Sequence, residues 1–180
     1  MPARPADEEV LAAALDHAVA AAAEADPGRP SGCAGWTVAG VLAHLTQSLR
    51  CVADALVSGT VPVPAARTSG RDLGRAAVAL AAAARDLRGR RAVAVDGLAL
   101  PCRQLIVVGA LEAAVHGWDA VPSRPIPGDL AARLLAELPS VLTRREGLFA
   151  EPVVLPAGRP AGERLLAALG RDPSVRDFRP

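Results

Sequence analysis

Leu111-Glu112-Ala113-Ala114-Val115-His116-Gly117-Trp118-Asp119 is the one stretch of this sequence in which an acidic residue and a histidine stand four apart within an otherwise apolar helical run. At about 100° and 1.5 Å per residue, that spacing puts Glu112 and His116 on one helix face, one turn apart, where both side chains can converge on a single ion. One helix rarely closes a metal site by itself, so a third donor is expected from another helix. The best-placed candidate is His44, within Trp36-Thr37-Val38-Ala39-Gly40-Val41-Leu42-Ala43-His44-Leu45. On the residues alone two readings of His44 stand: a ligand, or a satisfied histidine at the edge of a buried face.

The rest of the chain reads as the scaffold that brings those two helices together. It has 180 residues, the usual size of one domain, and is long enough to bury a core without staples. Twenty basic and 19 acidic residues leave a net charge of +1, which gives no electrostatic reason to expect nucleic acid or an anionic membrane as partner. Aromatic residues are only 2%, so the core has to be built from alanine, leucine and valine, which suits closely packed helices better than a sheet. The opening Met1 to Glu9 carries acids and prolines where a secretory leader needs a basic region and an apolar core. The longest apolar run, Ala76 to Ala84, falls far short of the ~18 residues that span a bilayer. A soluble, cytoplasmic protein is expected. Cys33, Cys51 and Cys102 have no zinc-ribbon spacing and read as small buried apolar groups. Cys51 lies seven residues after His44; two turns, about 10 Å, are too far for both to hold one ion, although Cys51 can line the same cavity.

Taken in order, Asp7 to Ala25 predicts a first helix with an apolar stripe of Val10, Leu11, Ala14, Leu15 and Ala18, stopped by Pro27-Gly28-Arg29-Pro30. His17, beside that stripe, reads as a surface or boundary residue. Thr37 is a good N-cap for a second helix to about Val57, with Trp36 outside it as a staple onto Val41. A third helix is expected from about Gly70 or Arg71 to Leu87. Arg90 to Leu100 reads either as a short hairpin or as an extended crossing. Pro101 suits the first turn of a fourth helix that runs to about Ala120. Asp129 to Arg145 predicts a fifth, kinked near Pro139, and Ala161 to Leu169 a short last one, with 171–180 a loose tail. The fold expected is all-α: a four-helix bundle over a single domain, 1–180, with a long crossover connection and short additional C-terminal helices.

Bundle cores commonly build metal sites from inward-projecting side chains, and a set of two histidines and one carboxylate leaves a coordination position open, as catalytic sites do. Cys33-Ala34-Gly35-Trp36-Thr37-Val38 leading to Leu42-Ala43-His44-Leu45, together with Glu112 to Asp119, resembles the two metal-binding segments of the mycothiol-dependent maleylpyruvate isomerase N-terminal family, one of the DinB-like bundles. Arg164-Leu165-Leu166-Ala167-Ala168-Leu169-Gly170-Arg171-Asp172-Pro173 is similar to the close of an actinobacterial branch of that group. The resemblance implies that His44, Glu112 and His116 bind a divalent metal, with Zn the usual expectation and Ni or Fe compatible with the same donors. It also implies mycothiol, or a similar low-molecular-weight thiol, as cosubstrate. Such sequences often carry an Arg and an acid after Thr-Val, where this one has Ala39 and Gly40. The isomerase also has a further C-terminal domain, for which a chain ending at Pro180 leaves no room, and this speaks against the namesake reaction.

Asp119 follows His116 by three residues. It can orient a ligand imidazole, accept the indole N–H of a tryptophan, or pack against Arg50, Arg103 or the helix end. Trp36 and Trp118 read as braces for the two ligand-bearing segments. The activity expected is thiol attack on a small electrophile, of S-transferase or cis–trans isomerase type. The alternatives are a thiol-independent Lewis-acid or metal-hydroxide enzyme of specialised metabolism, or a non-catalytic bundle joined by its ion. A homodimer is compatible with an alanine-rich bundle, and the sequence gives no interface.

Overall fold

The computed structural model describes residues 5–61, 72–95, 98–142 and 150–175. Its elements are α1 (Pro5–Glu24), α2 (Val38–Ser58), α3 (Leu73–Arg85), β1 (Ala92–Val95), β2 (Leu98–Pro101), α4 (Cys102–Ala120), α5 (Gly128–Val141) and α6 (Ala161–Ala168). α1 packs on α4 and α3, and α2 packs on α3 and α4, so the first four helices form an all-α, DinB-like bundle in which α1 and α2 stand across the diagonal. α5 lies against α4 and α1 and packs on α6.

Periodicity accounts for these helices. On α1, Leu11, Ala14, Leu15, Ala18 and Ala21 are all buried at spacings of three and four. On α2, Val38, Val41, Leu42, Leu45, Leu49, Val52 and Leu56 do the same. Thr37 caps α2: its side-chain oxygen accepts the Gly40 N–H at 3.1 Å, and with glycine at 40 no acid reaches back to complete a capping box. α4 is apolar nearly all round, as a helix packed on several sides has to be, and buries Ile106, Ala110, Ala113, Ala114 and Trp118.

The structure decides between open readings and corrects others. Arg90 to Leu100 is the hairpin of the two readings, with β1 and β2 antiparallel and Ala92 opposite Pro101. The partner strand was hard to see because Leu98-Ala99-Leu100-Pro101 is four residues long and runs straight into a helix. Pro101 is accordingly the last residue of β2, just outside α4 and not in its first turn. α5 ends at Val141, with Pro139 accommodated in its last turn; the part of the expected helix that falls on 143–149 lies outside the described residues. The expected tail is not loose where it is described. Arg171 donates its backbone N–H to Leu166 O at 3.0 Å, and Pro173 is buried; 176–180 lie outside the described residues.

His17 is the largest departure. It is only 5% exposed, and its Nε2 has no hydrogen-bond partner among the described residues. Burial lowers its pKa below the ordinary imidazole value; the charge of Arg124 adds to this, and the Ala114 backbone works the other way. The cause lies on α4, where Gly117 leaves room for the ring: a Cβ there would meet His17 Cδ2 at 2.8 Å and Ala18 Cα at 3.1 Å. Gly117→Ala is therefore expected to force α1 off α4 and to destabilise the protein by about 1–3 kcal/mol, read from denaturant unfolding.

Candidate metal centre

The packing of α2 on α4 brings His44 to Glu112 and His116. Glu112 Oε2 lies 3.4 Å from His44 Nε2 and 3.6 Å from His116 Nε2. One donor atom from each of the three residues lies within 4.8 Å of the other two. The imidazole rings stand nearly perpendicular, 87°, with centroids 5.1 Å apart.

Glu112 Oε2 is buried and, among the described residues, has no hydrogen bond of ordinary geometry; its contacts with the two imidazoles are charge-pair approaches. A buried carboxylate oxygen flanked by two imidazoles suits a cation. With bond lengths of about 2.0–2.1 Å to nitrogen and oxygen, the edge of a tetrahedron around Zn is about 3.3–3.4 Å, close to the two separations that involve Glu112, while the two imidazoles offer nitrogens within 4.8 Å of each other. The residues therefore fit a divalent ion.

The surroundings hold the donors in place. His116 Nδ1 lies 2.9 Å from Asp119 Oδ2, so the ring offers its other nitrogen to the cluster. Of the roles open to Asp119 in the sequence, the structure shows the contact with the imidazole. Its cationic partner is Arg171, not Arg50 or Arg103: Arg50 faces Asp72 at 3.5 Å, and Arg103 joins Asp7 and Glu137. The loop before α2 closes the same corner, Gly32 donating its N–H to Asp119 O at 2.7 Å. Ser48, one turn beyond His44, puts its hydroxyl 3.5 Å from His44 Nε2.

Trp118 is buried, whereas Trp36 is 45% exposed. Its indole stands edge-on to His44, centroids 5.5 Å apart, so it is a wall of the site and not a buried brace. Together with Gly35, Thr37, Gly40, Ala43 and Gln47 it lines a groove of about 400 Å³ that includes His44. Cys51 is not among these lining residues; burial, with Asp54 adding to it, raises its thiol pKa. Sequence reasoning passed over Ser48, although its spacing from His44 carried the signal, and Arg171, for which no local pattern gave one.

The charges are coupled. The Glu112 carboxylate raises the pKa of His44, against burial. Burial pushes the Glu112 carboxyl up, but its contact with His44, the charge of His116 and the Ser48 hydroxyl outweigh this and leave it below the usual range. In the metal-free protein the His44 contribution to stability is complete below the ordinary imidazole value and is lost as pH rises through the raised one. The Glu112 contribution is present above the ordinary carboxylate value and is lost as pH falls through the lowered one. A metal requires His44 unprotonated, so metal affinity is expected to fall as pH drops through the raised His44 value, approaching about tenfold per unit, in chelator competition over a pH series that spans the imidazole range.

A four-helix core that brings two histidines and a carboxylate together from two facing helices defines the class: a helical bundle with a candidate metal-binding triad between its helices. The family model described as "Mycothiol maleylpyruvate isomerase N-terminal domain" matches residues 9–121, and the chain belongs to that family, a mycothiol-related group of enzyme domains. The match contains His44, Glu112, His116 and Asp119, and excludes α5, α6 and Arg171. Comparison with curated proteins and with solved structures gave no match. No helix among the described residues is long and apolar enough to cross a membrane.

Proposed function

We propose that this chain is a divalent-metal enzyme that directs a low-molecular-weight thiol of the mycothiol kind at a small electrophile. The observation that carries this reading is the convergence of His44, Glu112 and His116, with the buried Glu112 oxygen left for a cation. Zn is the ion we expect, with Ni and Fe suited to the same donors. When bound, it would lower the pKa of a thiol, ordinarily about 8.5, so that the sulfur is nucleophilic at neutral pH.

The chain's own residues divide the remaining tasks. Glu112 supplies negative charge that offsets the cation, and His44 and His116 supply neutral nitrogen. Asp119 accepts the His116 Nδ1 proton and keeps Nε2 aimed inward. His44, 43% exposed at its side chain, is the donor that faces the groove, where Trp36 offers an apolar ring and Thr37 and Gln47 offer a hydroxyl and an amide. An electrophile held there would take the thiol sulfur at carbon. The thiol proton goes to solvent and the attacked C=C gives its π pair to a conjugated carbonyl. If the adduct then takes up a proton at carbon and keeps the C–S bond, the reaction is an S-transfer by addition; if the C–S bond breaks after rotation about that carbon–carbon bond, re-forming C=C and releasing the thiol, it is a cis–trans isomerisation.

Calorimetry with mycothiol tests the reading. Saturable binding to Zn-loaded protein, lost on chelation, is expected. No binding to the loaded protein would overturn the thiol reading, and turnover of electrophiles or esters that survives complete removal of thiols would favour the thiol-independent alternative.

A further inference from the structure

Asp119 is fully buried and carries, besides His116, an arginine 52 positions further along the chain. Arg171 Nη2 donates to Asp119 Oδ2 at 3.0 Å, its Nε reaches Oδ1 at 3.4 Å, and its Nη1 donates to Leu169 O at 3.0 Å. Oδ2 is also the oxygen 2.9 Å from His116 Nδ1. A carboxylate torsion is soft when only one partner holds it. A guanidinium that reaches both oxygens fixes the plane of the group as well as its charge.

The backbone delivers Arg171 to this position. At the end of α6, Gly170 N–H donates to Ala167 O and Arg171 N–H to Leu166 O, both at 3.0 Å, which is the Schellman pattern. Gly170 adopts φ +79°, and a Cβ there would lie 2.8 Å from Ala150 O, so the turn requires glycine. Leu165, Leu166 and Leu169 are buried and anchor the helix that carries the turn.

The geometry points to Arg171 as a positioning residue of the metal centre: by clamping Asp119 it holds the proton of His116 on Nδ1 and leaves the Nε2 lone pair turned toward Glu112 and His44. Its effect on metal affinity rests on the reading proposed above; its effect on the tautomer is a property of the metal-free protein. The site then extends beyond the residues that match the family, and α6 belongs to it.

Two measurements on wild type, Arg171→Met and Arg171→Lys test this. The chain has three histidines, so long-range proton–nitrogen NMR of metal-free protein can assign the His116 tautomer. Zn affinity is read by chelator competition. At a pH where the His116 ring is neutral, the Nδ1–H form is expected in wild type; in Arg171→Met, mixed tautomers and Zn affinity about 10–100-fold weaker. Arg171→Lys keeps the charge but not the fork and is expected to fall between them. Unchanged tautomer with Zn affinity within about twofold of wild type would overturn the role, even if the melting temperature fell. Should Arg171→Met fail to fold, the lysine variant decides the point by the same two readouts. A wild type that binds no Zn while Arg171→Met still loses the Nδ1–H form would sink the metal reading and leave the clamp standing.

Discussion

Replacing His116 by alanine is expected to lower Zn affinity by more than about 100-fold, beyond the 10–100-fold that loss of an orienting neighbour costs. His116 is the least exposed of the three donors, 12% at its side chain, and the one whose ring Asp119 orients. Its removal leaves one imidazole and one carboxylate on two different helices, and an ion held by two donors exchanges readily with water. His44→Ala should lose Zn to a similar degree. His44 is 43% exposed, so that variant should give up less stability in the metal-free state. The pair therefore separates metal from fold: chelator competition should move in both variants, and metal-free thermal unfolding chiefly in His116→Ala. Zn retained by His116→Ala would mean that other donors hold the ion.

Asp119→Ala should produce the largest loss of stability in the site. The carboxylate has no exposure, and Arg171, 13% exposed, depends on it. Deleting it leaves a guanidinium inside the protein with Leu169 O as its one remaining hydrogen-bond acceptor among the described residues, a change that costs about 3–5 kcal/mol when one partner of a buried pair is removed. For a chain of this size that corresponds to a fall of about 6–20 °C in the melting temperature of the metal-free protein. Zn affinity should fall as well, by about 10–100-fold, because His116 loses the acceptor for its Nδ1 proton. Asp119→Asn keeps the shape but not the charge, and should lose less stability. A melting temperature unchanged in Asp119→Ala would contradict the burial and pairing described for this corner.

The bundle was legible because its signals are local. Apolar spacing on α1 and α2, Thr37 as a cap and the prolines at 27 and 30 each act within a few residues, and the described helices begin and end close to where those signals fall. Glu112 and His116 were legible for the same reason, being one turn apart on one helix. His44 needed the family resemblance, since a histidine beside a core face looks the same whether or not another helix brings it an anion. What escaped reading depends on contacts between distant segments. His17 is buried because Gly117, a hundred positions on, gives up its side chain to it. Arg171 was assigned to a loose tail because its partner lies 52 residues back and the helix end that aims it is a single glycine turn. Trp36, an apolar ring beside a helix start, read as a brace; which way such a ring faces is decided by the groove around His44, and no spacing rule reports that.

Elemental analysis of the untagged, purified protein, with His44→Ala and His116→Ala prepared alongside, tests the metal centre most directly. About one equivalent of a transition metal in wild type, lost in both variants, is the predicted result. No metal in wild type even after Zn or Ni is supplied, or metal kept at the same level in both variants, would contradict it.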